Sequence, residues 1–298
     1  MKIYDCFMFF DETMLLQIRL NILNKFIDKF IVTESKFSHN GKKKKLNFDI
    51  KNFSEFKSKI EYIVVDEQPE NILQANTDSS IIKMDEKKII NSLKRENYQR
   101  EMLSKGLVGL DHNDLIIISD VDEIPNLNNL KFDEVENQII IFKQKMFYYK
   151  LNLYYENFNW FGSKAVIKKK FISPQWLRNI KNKCYPKWRL DTYFSQKKYN
   201  NIKFIENGGW HFTCVKSPEE VHKKLLSYLH HQDYENSKIN LNELKVKMKN
   251  KNILYDHNLD KKNNNKWNSD KKLVKINSDY LPEYLIKNTG KYKEWLEN

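Results

Sequence analysis

Short apolar runs alternate with stretches of helical spacing through the first part of the chain. The runs KIYDCFMFF, KFIVTES, IEYIVVD and DLIIIS each have the length and composition of a buried strand. After Thr13, apolar residues from Leu15 to Phe26 recur near helical spacing, and residues 84–105 show a second helical pattern. Strands that alternate with helices predict an α/β fold with a mostly parallel central sheet flanked by helices.

The pattern changes after Asp122. The segment NQIIIFKQKMFYYKLNLYYE is a long, aromatic, β-rich stretch, and SKAVIKKKF is typical of a further strand. Beyond residue 235 the chain is rich in Asn and Lys, with only scattered apolar groups such as LPEYLI and KEWL. We therefore predict a main domain over residues 1–235 and a basic, Asn/Lys-rich helical extension over residues 236–298 that packs on it.

The fourth predicted strand ends in carboxylates, in the segment LIIISDVDEIP. Ligands of open α/β sheets bind outside the carboxyl ends of the strands. Carboxylates two positions apart, such as Asp120 and Asp122, can converge on one Mg²⁺ or Mn²⁺ that also binds substrate phosphates. Such an ion offsets the charge of a departing diphosphate. The alternative is a solvated acidic loop without a ligand.

Charge and composition narrow the class of protein. The chain has 52 Lys and Arg against 39 Asp and Glu, a formal net charge of +13, which suits nucleic acid, an anionic membrane surface or phosphorylated small molecules. The lysines are dispersed and no aromatic RNA-binding motif is present, so nucleic acid is not expected as a partner. The three cysteines form no CxxC pair, and no signal peptide or spanning segment is found. We interpret the chain as a cytoplasmic protein with peripheral contact with an anionic membrane.

Five segments in order resemble glycosyltransferase family 17, over roughly residues 3–235. They are YDCFMFFDETMLLQIRLNIL, VTESKFSHNGKKKKLNF, RENYQR, IIISDVDEIP and NGGWHFTCVKSPE. The family includes the β-1,4-mannosyl-glycoprotein β-1,4-N-acetylglucosaminyltransferases of N-glycan processing, which add the bisecting GlcNAc. The resemblance implies a GT-A-like fold with a β-rich acceptor side, an inverting transfer, and a divalent metal, Mn²⁺ or Mg²⁺. Residues 1–235 would be the catalytic domain.

The resemblance also implies partners. The donor is expected to be a UDP-sugar, with UDP-GlcNAc the first choice, and the acceptor a glycan. We expect no N-terminal membrane anchor of the kind found in the animal enzymes, and we therefore expect the acceptor to be another glycan or a lipid-linked sugar rather than an N-glycan. A catalytically inactive glycan-binding relative and, less favoured, a basic nucleic-acid-binding protein are the alternatives.

Several residues take expected roles from their place in these segments. The metal would be held by Asp120 and Asp122 of SDVDE, with His211 of GGWH as a further ligand. Asp120 would also contact the donor. The remaining expected donor contacts are Glu34 in the ES position, near the nucleotide, and Arg95, Gln99 and Arg100 on the helix before the metal strand. Trp210 either stacks on a sugar face or packs in the core.

Inversion requires a carboxylate that deprotonates the acceptor hydroxyl as it attacks the anomeric carbon. Three acids are candidates for this base. Glu123 is nearest the metal motif in sequence, Glu206 precedes the GGWH turn, and Asp233 lies in the segment HHQDYE. Sequence alone does not separate them, and we favour Glu206 slightly. For each, the alternative is a surface acid.

Overall fold

The structure, a computed structural model, describes residues 1–74, 81–136, 138–228, 231–259, 264–267 and 269–298. Its strands are β1 (Ile3–Met8), β2 (Lys29–Ser35), β3 (Ile60–Val65), β4 (Leu115–Asp120), β5 (Glu123–Pro125), β6 (Ile139–Phe142), β7 (Gln144–Tyr148), β8 (Leu153–Trp160), β9 (Lys164–Ile167), β10 (Ile202–Ile205), β11 (Gly209–Thr213) and β12 (Val274–Lys275). Its α-helices are α1 (Thr13–Leu23), α2 (Ile81–Glu101), α3 (Pro174–Asn179), α4 (Pro218–Leu225), α5 (His231–Ser237), α6 (Leu241–Lys249) and α7 (Glu283–Lys287).

The larger sheet has seven strands in the order β10-β6-β9-β4-β1-β2-β3. Strand β9 runs antiparallel to its neighbours β4 and β6, and the other pairs are parallel. The four apolar runs predicted as strands are β1 to β4, and the helix predicted from Thr13 is α1. The prediction of a mostly parallel α/β sheet is therefore confirmed.

Strand β4 is apolar along its length because both of its faces are covered. Leu115 and Ile117 join one core, which includes buried residues of α1. Ile116 and Ile118 join a second core on the opposite face, which includes Leu177 of α3. A strand buried on both faces reads as a continuous apolar run rather than an alternating one. The first polar side chains after Ile118 consequently fall at the carboxyl edge of the sheet.

The second sheet has five strands in the order β12-β8-β7-β11-β5. Strands β7 and β11 are parallel, and the other pairs are antiparallel. The aromatic stretch that follows Asp122 is divided between the sheets, with β6 in the first and β7 and β8 in the second. A third core beneath the second sheet includes Tyr148, Tyr155 and residues of α4 and α6. Strand β5 directly follows the turn after β4, so the second sheet begins at the carboxyl edge of the first.

The C-terminal region does more than cover the sheet with helices. Strand β12 pairs with β8 at the edge of the second sheet. Leu281, Leu285 and Tyr292 are buried in the core beside α1. They belong to a few scattered apolar groups within an Asn- and Lys-rich region, which is why the sequence predicted a peripheral segment. The domain division at residue 235 stays a prediction.

Among the helices of the described residues, none combines the length and apolar character needed to span a bilayer.

Candidate active site

A buried arginine fixes the shape of the acidic turn between β4 and β5. The Arg19 guanidinium, on α1, donates hydrogen bonds to the carbonyl oxygens of Asp120 and Glu123 at 3.1 and 2.7 Å. The Asp5 carboxylate, on β1, accepts two hydrogen bonds from the same guanidinium, at 2.8 and 2.6 Å, and both side chains are fully buried. Arg19 thus satisfies turn carbonyls that would otherwise lack partners.

A second arginine joins two carboxylates of the turn. The Arg178 guanidinium, on α3, lies 2.8 Å from Asp120 Oδ2 and 2.7 Å from Glu123 Oε2. Glu123 is only 1 % exposed and also accepts a hydrogen bond from the Trp160 indole N–H at 2.6 Å. Burial alone would lower the pKa of Arg178, but Asp120 and Glu123 outweigh it and raise that pKa above its ordinary value. Arg178 therefore stays charged and orients both carboxylates.

Asp122 faces two nitrogen-bearing side chains across the pocket. Its Oδ1 lies 3.7 Å from His211 Nε2, and its Oδ2 lies 3.7 Å from Lys224 Nζ. Lys224, at the end of α4, also lies 2.9 Å from Glu12 Oε1. Burial by itself raises the pKa of Asp122, but His211 and Lys224 hold it well below its ordinary range. Asp122 is therefore an ionised carboxylate, and neither 3.7 Å separation is a direct hydrogen bond.

Strand pairing brings His211 to the acidic turn. On β11, His211 lies opposite Glu123 of β5, and Gly209 lies two positions earlier at the close approach of the two strands. Gly209 has φ of +128°, and a Cβ there would lie 2.1 Å from the carbonyl oxygen of Ile124, so only glycine fits. The imidazole stacks on Trp160 with ring centroids 4.7 Å apart. Its Nδ1 is buried and has no hydrogen-bond partner among the described residues.

These groups line a pocket of about 380 Å³ at the carboxyl edge of the first sheet. Helix α2 forms one wall with Glu96 and Gln99, and aromatic side chains form others. The lining side chains that bear on function are Phe9, Phe10, Glu12, Phe37, His39, Glu96, Gln99, Asp120, Asp122, Glu123, Trp160, Arg178, His211, Lys224 and Tyr228. The pocket combines apolar ring faces with a dense set of charges, which suits a polar ligand that also has a flat or apolar part.

The three residues predicted on helix α2 separate in the structure. Gln99 lines the pocket. Arg100 lies behind the wall, where its guanidinium is 2.6 Å from Glu96 Oε1 and 3.3 Å from Asp120 Oδ1. Arg95 does not line the pocket, and it donates hydrogen bonds to Gln68 and to a backbone carbonyl. Gln99 is therefore placed to contact a donor directly, and Arg100 is placed to influence it through Asp120. Arg95 is placed for neither.

Two other residues predicted to contact substrate, Glu34 and Trp210, lie outside the pocket lining. Glu34 is fully buried and accepts hydrogen bonds from the Tyr62 hydroxyl and from the amides of Asn47 and Phe48 at 2.8–3.0 Å. It thereby fixes the loop after β2. Trp210 points to the opposite face of β11 from His211, and its indole donates to the Tyr280 carbonyl at 2.8 Å. The contacts of Trp210 support the packing alternative.

Of the three candidate bases, the structure brings only Glu123 to the pocket. Glu206, the favoured candidate, has a side chain that is 69 % exposed and that pairs with Lys143. Asp233 lies on α5 with its carboxylate 3.2 Å from Lys266 Nζ. The turn after β10 directs Glu206 outward, so closeness to GGWH in sequence does not bring it to the acidic turn.

Sequence reasoning missed the cations of this site. Arg19, Arg178 and Lys224 come from three separate helices, and no local pattern marks any of them as a partner of the acidic turn. The segment SPEE at residues 217–220 does predict the start of α4, since Ser217 and Glu220 form a capping box. That signal locates the helix but not the contact that Lys224 makes one turn later.

Lys164 holds the end of the helix that presents Arg178, and it makes stability depend on pH. Its ammonium donates to the carbonyl oxygens of Arg178 and Ile180, and burial lowers the pKa of Lys164 to about 7. In the unfolded chain that pKa is about 10.4, so between these values the unfolded state binds more protons and stability rises with pH. We expect urea unfolding at several pH values to show this rise in the wild type and a smaller one in Lys164→Met. Equal slopes would contradict it.

The fold and the pocket together define an α/β protein with an Asp-x-Asp turn at the carboxyl edge of its mostly parallel sheet, the edge at which open α/β sheets bind their ligands. The sequence profile described as Glycosyltransferase family 17 matches residues 1–297, and the chain belongs to that family. The protein is accordingly a glycosyltransferase, a class that moves a sugar from a nucleotide-sugar donor to a glycan acceptor. The match confirms the resemblance and continues beyond residue 235 into the C-terminal region. No curated protein matches the chain significantly.

Proposed function

We propose that the protein is an inverting N-acetylglucosaminyltransferase that takes GlcNAc from UDP-GlcNAc, with Mn²⁺ or Mg²⁺ bound by the DVD motif. The acceptor is a glycan or a lipid-linked sugar. The observation that carries the proposal is the pair of Asp122 and His211, whose facing atoms are 3.7 Å apart in the pocket of a family 17 chain. The choice of UDP-GlcNAc and of inversion rests on the family resemblance.

The charges of the pocket fit a divalent cation. Among the described lining residues, five carboxylates stand against two permanent cations, Arg178 and Lys224. A nucleoside diphosphate is itself anionic, so its approach to this lining favours an added positive ion. The described residues contain no group of three or more His, Cys, Asp or Glu side chains arranged to hold a metal. Asp122 and His211 would supply two ligands, and donor phosphates and water the others, as is common for Mg²⁺.

The metal, when bound, supplies Lewis-acid stabilisation of the departing diphosphate. The chain's own side chains perform the remaining tasks. Lys224 places a fixed positive charge beside Asp122, where it can hold a donor phosphate oxygen. Arg178 holds Asp120 and Glu123 in place, and the rings of Phe10 and Phe37 offer apolar walls for the flat parts of the donor.

Ligand-induced stabilisation tests the donor and the metal together. We expect UDP with Mn²⁺ to raise the melting temperature by about 5 °C when UDP is about 100 times above its Kd, because binding then adds about 2.7 kcal/mol. UDP without metal, and GDP or CMP with metal, should give much smaller shifts. His211→Ala should lose most of the metal-dependent part of the shift.

The outcomes of this experiment are distinct. Equal shifts with all three nucleotides would remove the case for a uridine donor, and a larger shift with GDP would replace it. An unchanged shift in His211→Ala would exclude the imidazole as a ligand. Binding of UDP-GlcNAc without any hydrolysis or transfer to a panel of glycan acceptors would indicate an inactive relative.

Replacement of Glu206 tests whether this residue is the catalytic base. Glu206 is an exposed partner of Lys143 outside the pocket, and exposed ion pairs contribute little to stability. We expect Glu206→Gln to keep transfer within about threefold of the wild type, since a general base contributes about 100-fold or more. The matched control is Glu134→Gln, which removes a similar exposed partner of Lys203. A loss of 100-fold in Glu206→Gln alone, with the fold intact, would identify Glu206 as the base.

A further inference from the structure

The loop between α3 and β10, residues 181–200, exposes large apolar side chains. Trp188, Leu190, Tyr193 and Phe194 are 80, 74, 66 and 91 % exposed, and Phe194 is the most exposed large apolar side chain in the described part of the chain. Single exposed apolar residues are ordinary on protein surfaces. Four within seven consecutive residues are a concentration of exposed apolar side chains in one segment, Trp188 to Phe194, which we call the aromatic tip.

Basic residues flank the aromatic tip along the chain. Residues 181–200 contain one acid, Asp191, and six basic residues: Lys181, Lys183, Lys187, Arg189, Lys197 and Lys198. Asp191 pairs with Arg189 and Lys198 at 2.6 Å each, so the acid is already paired. The loop therefore combines exposed apolar side chains with strongly positive flanking segments.

The base of the loop is fixed to the body of the protein. The Lys181 amide donates to the Lys197 carbonyl at 2.8 Å, and the Tyr185 amide donates to the Tyr199 carbonyl at 3.0 Å. The Tyr199 hydroxyl accepts a hydrogen bond from the Trp176 indole of α3 at 3.0 Å. Since the two ends of the loop are bonded together and to α3, the aromatic tip projects from a closed base.

We propose that this loop docks the protein on an anionic lipid bilayer. Aromatic rings concentrate at the headgroup level of bilayers, apolar tips enter the acyl boundary, and flanking Lys and Arg bind anionic headgroups. A nucleic acid would match the cations and the rings but would leave the Leu190 side chain without an apolar environment. An anionic bilayer suits the cations, the aromatic rings and the Leu190 side chain together. The proposal concerns the loop alone and does not depend on the donor or the reaction.

Vesicle binding by the full chain tests this assignment. We expect co-sedimentation with phosphatidylcholine vesicles that contain phosphatidylglycerol, much weaker co-sedimentation with phosphatidylcholine alone, and release at high salt. Trp188→Ser combined with Phe194→Ser should weaken binding by about tenfold or more. Its matched control is Val108→Ser with Val246→Ser, which removes two apolar side chains that are 81 and 57 % exposed elsewhere.

Two variants, each with three lysines replaced by Gln, give a second, independent comparison. Replacement of Lys181, Lys183 and Lys187 by Gln should also weaken binding by about tenfold or more. Replacement of Lys42, Lys43 and Lys45 by Gln removes the same number of exposed charges from another loop and should have a smaller effect. All the changed side chains are exposed, so melting temperatures should stay close to the wild type.

Each other result would overturn the proposal. Wild-type protein that does not bind anionic vesicles would exclude the bilayer as the occupant. Vesicle binding that survives both loop variants would place membrane contact elsewhere. A wild-type dimer that the loop variants dissociate, or binding of single-stranded RNA that only the loop variants lose, would assign the loop to a second copy or to nucleic acid.

Discussion

Asp122→Asn is expected to abolish sugar transfer while the protein remains folded. Asp122 is the one carboxylate of the turn that faces both His211 and Lys224, and its oxygens are not occupied by an arginine. Asparagine keeps the shape of the side chain and removes the charge that a divalent ion and the donor site require. We expect kcat/KM to fall by at least about 100-fold, since even groups that support a metal ligand affect affinity by 10- to 100-fold.

The same variant has a readout that does not involve activity. Titration with Mn²⁺, followed by electron paramagnetic resonance of the free ion, should show weaker binding in Asp122→Asn than in the wild type. Asp133→Asn, a change at an exposed residue outside the pocket lining, serves as the control. Full transfer by Asp122→Asn, or by wild-type protein in EDTA, would contradict the assignment of the metal.

The fold was accessible to prediction because its signals are local. β4 needs only a continuous apolar run that ends in polar residues, and α1 needs only helical spacing after Thr13. The position of Asp120 and Asp122 follows from the same logic, since the residues after a buried parallel strand must leave the sheet at its carboxyl edge. The two adjacent glycines of GGWH are a local signal of the same kind, since glycine permits the close approach of strands that the structure shows at Gly209.

The partners of the turn were not accessible, because they come from elements distant in sequence. Arg178 lies 58 residues after Asp120, on a six-residue helix that periodicity cannot detect. Nothing in its neighbourhood distinguishes it from the many surface lysines and arginines. Conversely, Glu206 and Glu34 lie beside recognisable segments, which predicted a place for both at the site. In the structure, the direction of each side chain keeps it out of the pocket lining. A neighbouring motif locates the backbone of a residue but does not determine the direction of its side chain.

Arg178→Leu is expected to lower both stability and activity, for separable reasons. The substitution leaves Glu123, which is 1 % exposed, without its cation. Removal of one partner from a buried ion pair costs about 3–5 kcal/mol, because the remaining charge is uncompensated. Denaturant unfolding should show a decrease of this size in the free energy of unfolding. Arg178→Lys should recover part of it, since lysine restores the charge but not the paired hydrogen bonds of the guanidinium.

A double variant separates the structural part from the functional part. In Arg178→Leu combined with Glu123→Gln, no buried charge is left unpaired at that position, so much of the lost unfolding free energy should return. Transfer activity should stay low, because Asp120 still lacks its contact with Arg178 at 2.8 Å and because the variant also removes Glu123, the candidate base that lies at the pocket; Glu123→Gln alone measures the second contribution. If activity returned together with stability, Arg178 would serve the fold alone. If Arg178→Leu unfolded with wild-type free energy, the ion pair with Glu123 would contribute nothing to the native state, and the turn would be held by Arg19 and the backbone.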